Sequence, residues 1–388
     1  MGHLAKLLSE PTADKVEPEV VKDEVTEVSR VTSDHGPGKY SQAEIGAGPV
    51  RSGDELLERY GHDPEKVCLK GGFTVSHREL VDGRVVSTIR YELVERPDRT
   101  DVEVIVARVQ KAKPVIVSDM PEFSHPWFVF QAGDQQIGKR SRDGSTEQIV
   151  EGYLESVERG VEEYKRLQRL FNIPGIQISV PGDCLEGVVS QGGKNAWLTQ
   201  ETITEQFRIV RRLLFQTIEA FAPLADEVKV DVVNGNHDEA QRQWNTYPGD
   251  GWATEAAITV ADALKLNPGA FEHVEVRVPD KWSGYMTVPV GDTLVTVIHG
   301  HQFGREVNGI KWWMEQAFNG QEPARASLVQ NGHFHEVAIE RKGGRTRVQS
   351  PTFDMGSDWY RELHGVGNTR GALTYLLQSG DVTRLSLV

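Results

Sequence analysis

Five short apolar runs in this 388-residue chain end in side chains that bind metals, and few folds accommodate such a pattern. The run at 127–133 leads to Asp134, that at 176–181 to Asp183, and that at 228–233 to Asn234, Asn236, His237 and Asp238. Two more, at 294–298 and 327–332, lead to His299 with His301 and to His333 with His335. Each run has the length and apolar content of a buried strand. In an α/β sheet, the loops after the carboxyl ends of the strands can aim several side chains at one point. Carboxylate, amide and imidazole are the donors that hard and borderline divalent cations accept. The pattern therefore implies strand ends converging on metal.

Between these runs the periodicity becomes helical. Residues 147–171 are amphipathic, and 202–221 place Phe207, Val210, Leu214 and Ile218 on one face, which makes the main domain α/β. The stretches 345–350, 371–378 and 381–388, the last two joined by Ser379-Gly380, read as strands that add antiparallel members, so a pure Rossmann order is not expected. Ahead of this domain, residues 1–50 have the polar, charged composition of a flexible acidic tail. Residues 51–100 read as a small α+β module with a helix at 54–60, strands at 67–69, 73–75 and 85–94, and a hairpin turn at Asp82-Gly83. Residues 101–118 read as a linker, and 119–388 as the main domain.

A net charge of -14 argues against a protein that coats nucleic acid through bulk electrostatics, yet leaves room for a local basic strip. No run reaches the roughly 18 to 20 apolar residues of a membrane span, and residues 1–10 lack the apolar centre of a secretory signal. A cytoplasmic protein without a membrane partner is expected. The two cysteines, Cys68 and Cys184, read as reduced thiols.

The ordered set Gly133-Asp134-x-Gln136, Gly182-Asp183-x-x-Glu186, Gly235-Asn236-His237-Asp238, His299-Gly300-His301 and Gly332-His333-x-His335 resembles the calcineurin-like metallophosphoesterase superfamily from about residue 115 onward. The motif spacing, the insertion between His301 and Gly332 and the Gly332-His333-Phe334-His335 end look nearest to its SbcD-like DNA-repair exonuclease branch, which also occurs in phage genomes. The resemblance implies a four-layer α/β/β/α sandwich of mixed sheets with two divalent metal ions at the strand ends. It implies that Asp134 and His335 hold the first ion, that Asp183 bridges both, and that Asn236, His299 and His333 hold the second. It further implies that a metal-bridging hydroxide attacks phosphorus while His237 protonates the leaving group, with Asp238 orienting the His237 ring.

Gln136 departs from the family pattern, which has histidine there. An amide oxygen can bind a metal but carries no titratable proton, so a looser first site follows, with Mn²⁺ favoured over Zn²⁺ and with Mg²⁺ or Fe²⁺ as other candidates. His301 is either a direct site residue or a solvated one. Glu186 and Glu239 are either partners of the imidazoles or plain solvated acids. Lys139, Arg140 and Arg305, with Trp312-Trp313 nearby, suit a nucleic-acid backbone and its bases, or else an ordinary exposed face and a helix core.

The leading expectation is a DNA nuclease whose N-terminal module aids substrate binding or forms a homodimer. The alternatives are a phosphatase or phosphodiesterase on a small nucleotide or phosphoprotein, and a non-catalytic scaffold. Only about 50 residues follow His335, too few for the capping and ATPase-binding segments usual in the nuclease branch, so the usual ATPase partner is not expected.

Overall fold

The computed structural model describes residues 30–34, 38–45, 50, 52–64, 66–80, 83–95, 101–114, 125–188, 198–241, 247–356, 361–362, 365 and 368–388. The chain divides into two compact units, one within 11–99 and the other comprising 1–10 and 100–388.

The smaller unit is an antiparallel sheet of four strands in the order β1-β2-β4-β3: β1 (Arg30–Asp34), β2 (Lys39–Ile45), β3 (Val67–Glu79) and β4 (Val85–Glu95). Helix α1 (Gly53–Arg59), with Ser52 accepting the Glu55 N–H as its N-cap, buries Leu56 with Tyr60 against Ile89 and Tyr91. Two boundaries differ from the sequence reading. Residues 30–34 and 39–45, expected in a flexible tail, are strands, because β2 pairs along its whole length with β4 and buries Ser41, Gln42 and Glu44. The two apolar patches at 67–69 and 73–75 belong to one long strand, interrupted by a register shift between Leu69 and Phe73.

The larger unit is built on two sheets. One has the order β15-β14-β5-β6-β7-β8, with β5 (Trp127–Gln131), β6 (Gly175–Val180), β7 (Glu227–Val232) and β8 (Val274–Arg277) parallel and β14 (Leu373–Gln378) and β15 (Asp381–Leu387) antiparallel. The other has the order β12-β13-β11-β10-β9, with β10 (Thr293–Ile298), β11 (Leu328–Asn331) and β13 (Arg345–Gln349) parallel and β9 (Tyr285–Val290) and β12 (Ala338–Lys342) antiparallel.

The period of two in these strands separates two apolar layers. In β5, Trp127 and Val129 face the second sheet and meet Val295, Val297, Leu328 and Val348, whereas Phe128 and Phe130 face helices. Those helices are α2 (Asp101–Lys111), α3 (Thr146–Gln168), α4 (Ile203–Phe221) and α5 (Trp252–Leu264), followed by the single turn α6 (Pro268–Phe271). Helix α7 (Gly309–Phe318) covers the far face of the second sheet through Trp313, packed with Ile298, Phe303 and Val329. The unit is thus an α/β/β/α sandwich of mixed sheets, as the family resemblance implied. Helix α2 stands where a linker was expected. Its Ile105 and Val109, four residues apart, join the core beneath the helices.

Between the sheets lies a buried polar seam. Gln330 donates to Gln177 Oε1 and Tyr375 Oη, both at 2.7 Å, and accepts from Ser179 at 2.7 Å. Tyr375 donates to Gln131 at 3.0 Å, and Gln177 donates to Asp231 at 2.7 Å. The Asp231 carboxylate in turn takes two N–H bonds from Arg277, at 2.7 and 2.8 Å.

Candidate metal centre

The parallel pairing of neighbouring strands continues beyond their ends and carries the site. Past β5 and β6, the Asp134 N–H donates to Gly182 O and the Gln136 N–H to Asp183 O, both at 2.9 Å, which locks Asp134 and Asp183 side by side. Past β10 and β11, the Gly332 N–H donates to His299 O at 2.9 Å. Asp134, Gln136, Asp183, His333 and His335 all have positive φ, between 46° and 76°. Among the described residues only two others besides glycine do, so backbone strain is concentrated at the strand ends.

Close approach explains the motif glycines better than flexibility does. A Cβ on Gly235 would lie 2.0 Å from Asp183 Oδ1, and one on Gly332 would lie 2.1 Å from Asp134 Oδ2. Gly235→Ala is therefore expected to weaken Mn²⁺ binding at least about tenfold, as displaced ligand supports generally do. Calorimetric titration checks it, and unchanged affinity would show that the carboxylate does not need this space.

One half of the site has the character of a metal centre. Among the described residues, Asp183, His299 and His333 offer ligand atoms that all lie within 4.8 Å of one another. His299 Nδ1 is 2.7 Å from Pro181 O, so that nitrogen carries the proton and Nε2 is left for a ligand, 3.1 Å from Asp183 Oδ2 and from His333 Nδ1. Asn236 adds an amide oxygen that is buried and has no hydrogen-bond partner. Burial opposes a charge on His299, but Asp183 outweighs it and holds the pKa up to about 9. Burial would raise the Asp183 carboxyl, yet His299 and His237 keep it well below the usual carboxylate range. His333 goes the other way, down to about 3, through burial and the neighbouring His299. A divalent cation would displace the proton held between the Asp183 carboxylate and the His299 imidazole and take both as ligands, so these residues fit such an ion.

The other half is arranged differently. Asp134 Oδ2 accepts the His333 N–H at 2.8 Å, and Oδ1 lies 3.4 Å from His335 Nε2. His335 Nδ1 is 3.1 Å from Asp354 Oδ2. Burial opposes protonation of His335, but Asp354 and Asp134 hold its pKa up to about 10. Lys139 reaches into this half, 2.6 Å from Gln136 Oε1 and 2.5 Å from Asp354 Oδ2, and the Gln136 amide nitrogen faces His335 Nε2 at 3.2 Å. Gln136 thus spends its oxygen on Lys139, and this half does not fit a second cation.

No family model matches the chain, and no curated protein does. Solved structures similar to it include a novel archaeal phosphodiesterase, at 12% identity and a TM-score of 0.31, covering 67% of this chain and 99% of its own. Vacuolar protein sorting 29 from Cryptosporidium parvum gives 13% and 0.29, covering 68% and 97%. A predicted phosphoesterase from Streptococcus pneumoniae gives 11% and 0.26, covering 67% and 84%. At scores this low, the fold and the site rest on the strand order and ligand geometry described above.

The expected roles survive unequally. His237 is beside the Asp183, His299 and His333 cluster, with Nε2 3.9 Å from Asp183 Oδ2 and its backbone N–H donating to Asp183 Oδ1 at 2.8 Å. Asp238 does not orient that ring. Its carboxylate accepts the backbone N–H groups of Cys184, Leu185 and Gly235 at 2.8–3.1 Å and so ties the β6 and β7 loops together. Burial and the Asp183 charge push its pKa up to about 7 despite those donors. The ring is held instead by Glu186, whose carbonyl lies 2.8 Å from Nδ1.

Lys139, expected on a nucleic-acid surface, is inside the site. Arg140, Arg305 and His301 are exposed. Asp354, which sequence reading missed, sits five residues beyond β13, one more strand end carrying an acid, but without the Gly-Asp or Gly-His signature of the others. Cys184 is a buried free thiol, as expected. Among the described residues no helix is long and apolar enough to cross a membrane.

Proposed function

We propose that this chain is a metal-dependent phosphoester hydrolase acting on small phosphoesters. The observation that carries the reading is the Asp183, His299 and His333 cluster with the non-ligand His237 beside it. A divalent cation held there supplies Lewis-acid polarisation of a phosphoryl oxygen and a water of lowered pKa. The rest falls to the chain. Asp183 and His299 present the ion's ligand atoms, Asp238 fixes the two loops that carry Asp183 and His237, and the Glu186 carbonyl holds the His237 ring by Nδ1. Protonated at Nε2, His237 hands a proton to the departing alkoxide.

The substrate class follows from the cleft beside the Asn234-Gly235 turn. It holds about 550 Å³, the size of a small-molecule site, and Glu239, Asp250, Asp280 and Glu322 line it together with Trp282 and His301. Among the described residues no lysine or arginine lines it. An acidic wall repels a polyanion, whereas a compact organic group on a single phosphate can stack on Trp282, which is 67% exposed.

Of the features expected to bind DNA, Arg140 and Arg305 are exposed and the others are drawn into the protein. Lys139 is bonded within the site, Trp313 is buried and donates to Pro323 O at 2.6 Å, and Trp312 packs on Tyr285 and Phe303.

A substrate panel with Mn²⁺ tests the reading. Bis-p-nitrophenyl phosphate and a nucleotide diester should be hydrolysed, EDTA should abolish the activity, and labelled single- and double-stranded DNA should stay intact. Degraded DNA with untouched small esters would replace this reading with a nuclease. No hydrolysis with Mn²⁺, Mg²⁺ or Zn²⁺ would leave a binding scaffold.

A further inference from the structure

We propose that the centre binds a single divalent cation, on Asp183, His299, His333 and Asn236, and that the Lys139 ammonium, fixed between Gln136 and Asp354, supplies the second positive charge beside it. This rests on the reading of the site as a phosphoester-hydrolysing metal centre and specifies how its charge is composed.

The first observation concerns which donors remain. A cation on the Asp134 side would draw on Asp134, Gln136 and His335 together with the bridging Asp183. Gln136 Oε1 is held by the Lys139 ammonium at 2.6 Å, so a cation drawing on it would stand against that charge, whereas Asp134 Oδ2 accepts only the His333 N–H at 2.8 Å. Turning the Gln136 amide over does not help, because its NH₂ would then meet the ammonium, donor against donor. As it stands, the NH₂ lies 3.2 Å from His335 Nε2, in the space between Gln136 and His335 that a cation would occupy. With the Asp183 carboxylate shared from the other half, Asp134 and His335 are left, three side chains where divalent ions take four or more ligands.

The second observation concerns charge. Asp354 is fully buried, and its Oδ2 is shared by Lys139 at 2.5 Å and His335 Nδ1 at 3.1 Å. The Lys139 side chain is only 14% exposed. A buried carboxylate with an ammonium at contact distance is a built ion pair, not a chance surface contact. That ammonium touches Gln136, so it opposes any cation arriving there. It carries three N–H donors, of which Gln136 and Asp354 take two. The third is available to a non-bridging phosphate oxygen, the partner a second metal ion would otherwise have.

Together these place a fixed charge from the protein opposite an exchangeable one. Such a centre needs one equivalent of metal for full activity, and its metal is magnetically isolated.

The experiment counts ions on metal-stripped protein. Calorimetric titration with Mn²⁺ should give one equivalent, and the electron paramagnetic resonance spectrum of the loaded protein should be that of an isolated Mn²⁺ ion. The double variant Gln136→His/Lys139→Met should take up a second equivalent and show an exchange-coupled pair. Two equivalents and a coupled spectrum in the wild type would overturn the inference while leaving the hydrolase reading intact, as would a well-folded double variant that still binds one ion. Should the double variant not fold, the wild-type count decides alone. No binding of Mn²⁺ or Zn²⁺ by the wild type, with no esterase activity, would remove both readings together.

Discussion

Replacing His237 by alanine is expected to lower kcat roughly 10²- to 10⁴-fold, the range a positioned general acid contributes, while Mn²⁺ binding stays at the wild-type level. The separation follows from geometry. The ring is tethered at Nδ1 by the Glu186 carbonyl, and its Nε2 is 3.9 Å from Asp183 Oδ2, beside the ligands and not among them. What His237 gives the metal cluster is its backbone N–H to Asp183 Oδ1, and alanine keeps that bond. Steady-state hydrolysis of bis-p-nitrophenyl phosphate and calorimetric Mn²⁺ titration, run in parallel, provide the check. Asp183→Asn is the contrasting variant, since it should lose the ion and the activity together. If His237→Ala also lost the ion, the ring would be a ligand and its role as an acid would fall.

The same geometry separates the neighbours that sequence adjacency joined. Asp238 follows His237 in the chain, and that proximity suggested a partner for the ring. Three backbone N–H groups from two loops claim its carboxylate instead. The tether comes from Glu186, on the loop after a different strand, and a backbone carbonyl leaves no mark on residue identity. Lys139 shows the same limit. Its basic run reads as surface, whereas the turn after Gln136 folds its side chain back onto Gln136 and Asp354.

What the sequence did show was the continuous apolar runs of the strands and the polar residues that end them. Both are local signals, and both survive folding because each strand end is its own unit. An α/β sheet with converging donors follows from them, whereas the α/β/β/α layering and the grouping of Asp183, His299 and His333 were implied by the family resemblance of the motifs. The strands at 30–34 and 39–45 were missed for the opposite reason. Their polar residues, Gln42 and Glu44 among them, are buried only once β2 pairs with β4, and Gln42 then accepts from Thr32 and donates to Tyr91. Tertiary pairing overrode a composition that reads as unfolded. In helix α2 the signal was present, because Ile105 and Val109 stand on one face, but charged neighbours diluted it.

Asp231→Ala is expected to destabilise the larger unit by about 3–5 kcal/mol, the cost of leaving a buried charge without its partner. Asp231 is fully buried one residue before the end of β7, and the Arg277 side chain it holds is only 12% exposed. Arg277 also donates to Pro289 O at 2.9 Å, which ties β8 of one sheet to β9 of the other. Gln177 donates to the same carboxylate and continues the seam to Gln330 and Tyr375. The loss therefore exceeds a single hydrogen bond, about 1 kcal/mol. A thermal melt of the metal-free protein measures it. Asp231→Ala/Arg277→Met should recover much of the loss, because removing both charges leaves only neutral groups, the Gln177 amide and Pro289 O, short of a partner. Since β6 carries Asp183 and β10 carries His299, the seam also sets the spacing of the metal ligands, and the single variant should bind Mn²⁺ more weakly than the double. Equal stability of the single variant and the wild type would mean that Arg277 finds water, and that the seam does not hold the two sheets in register.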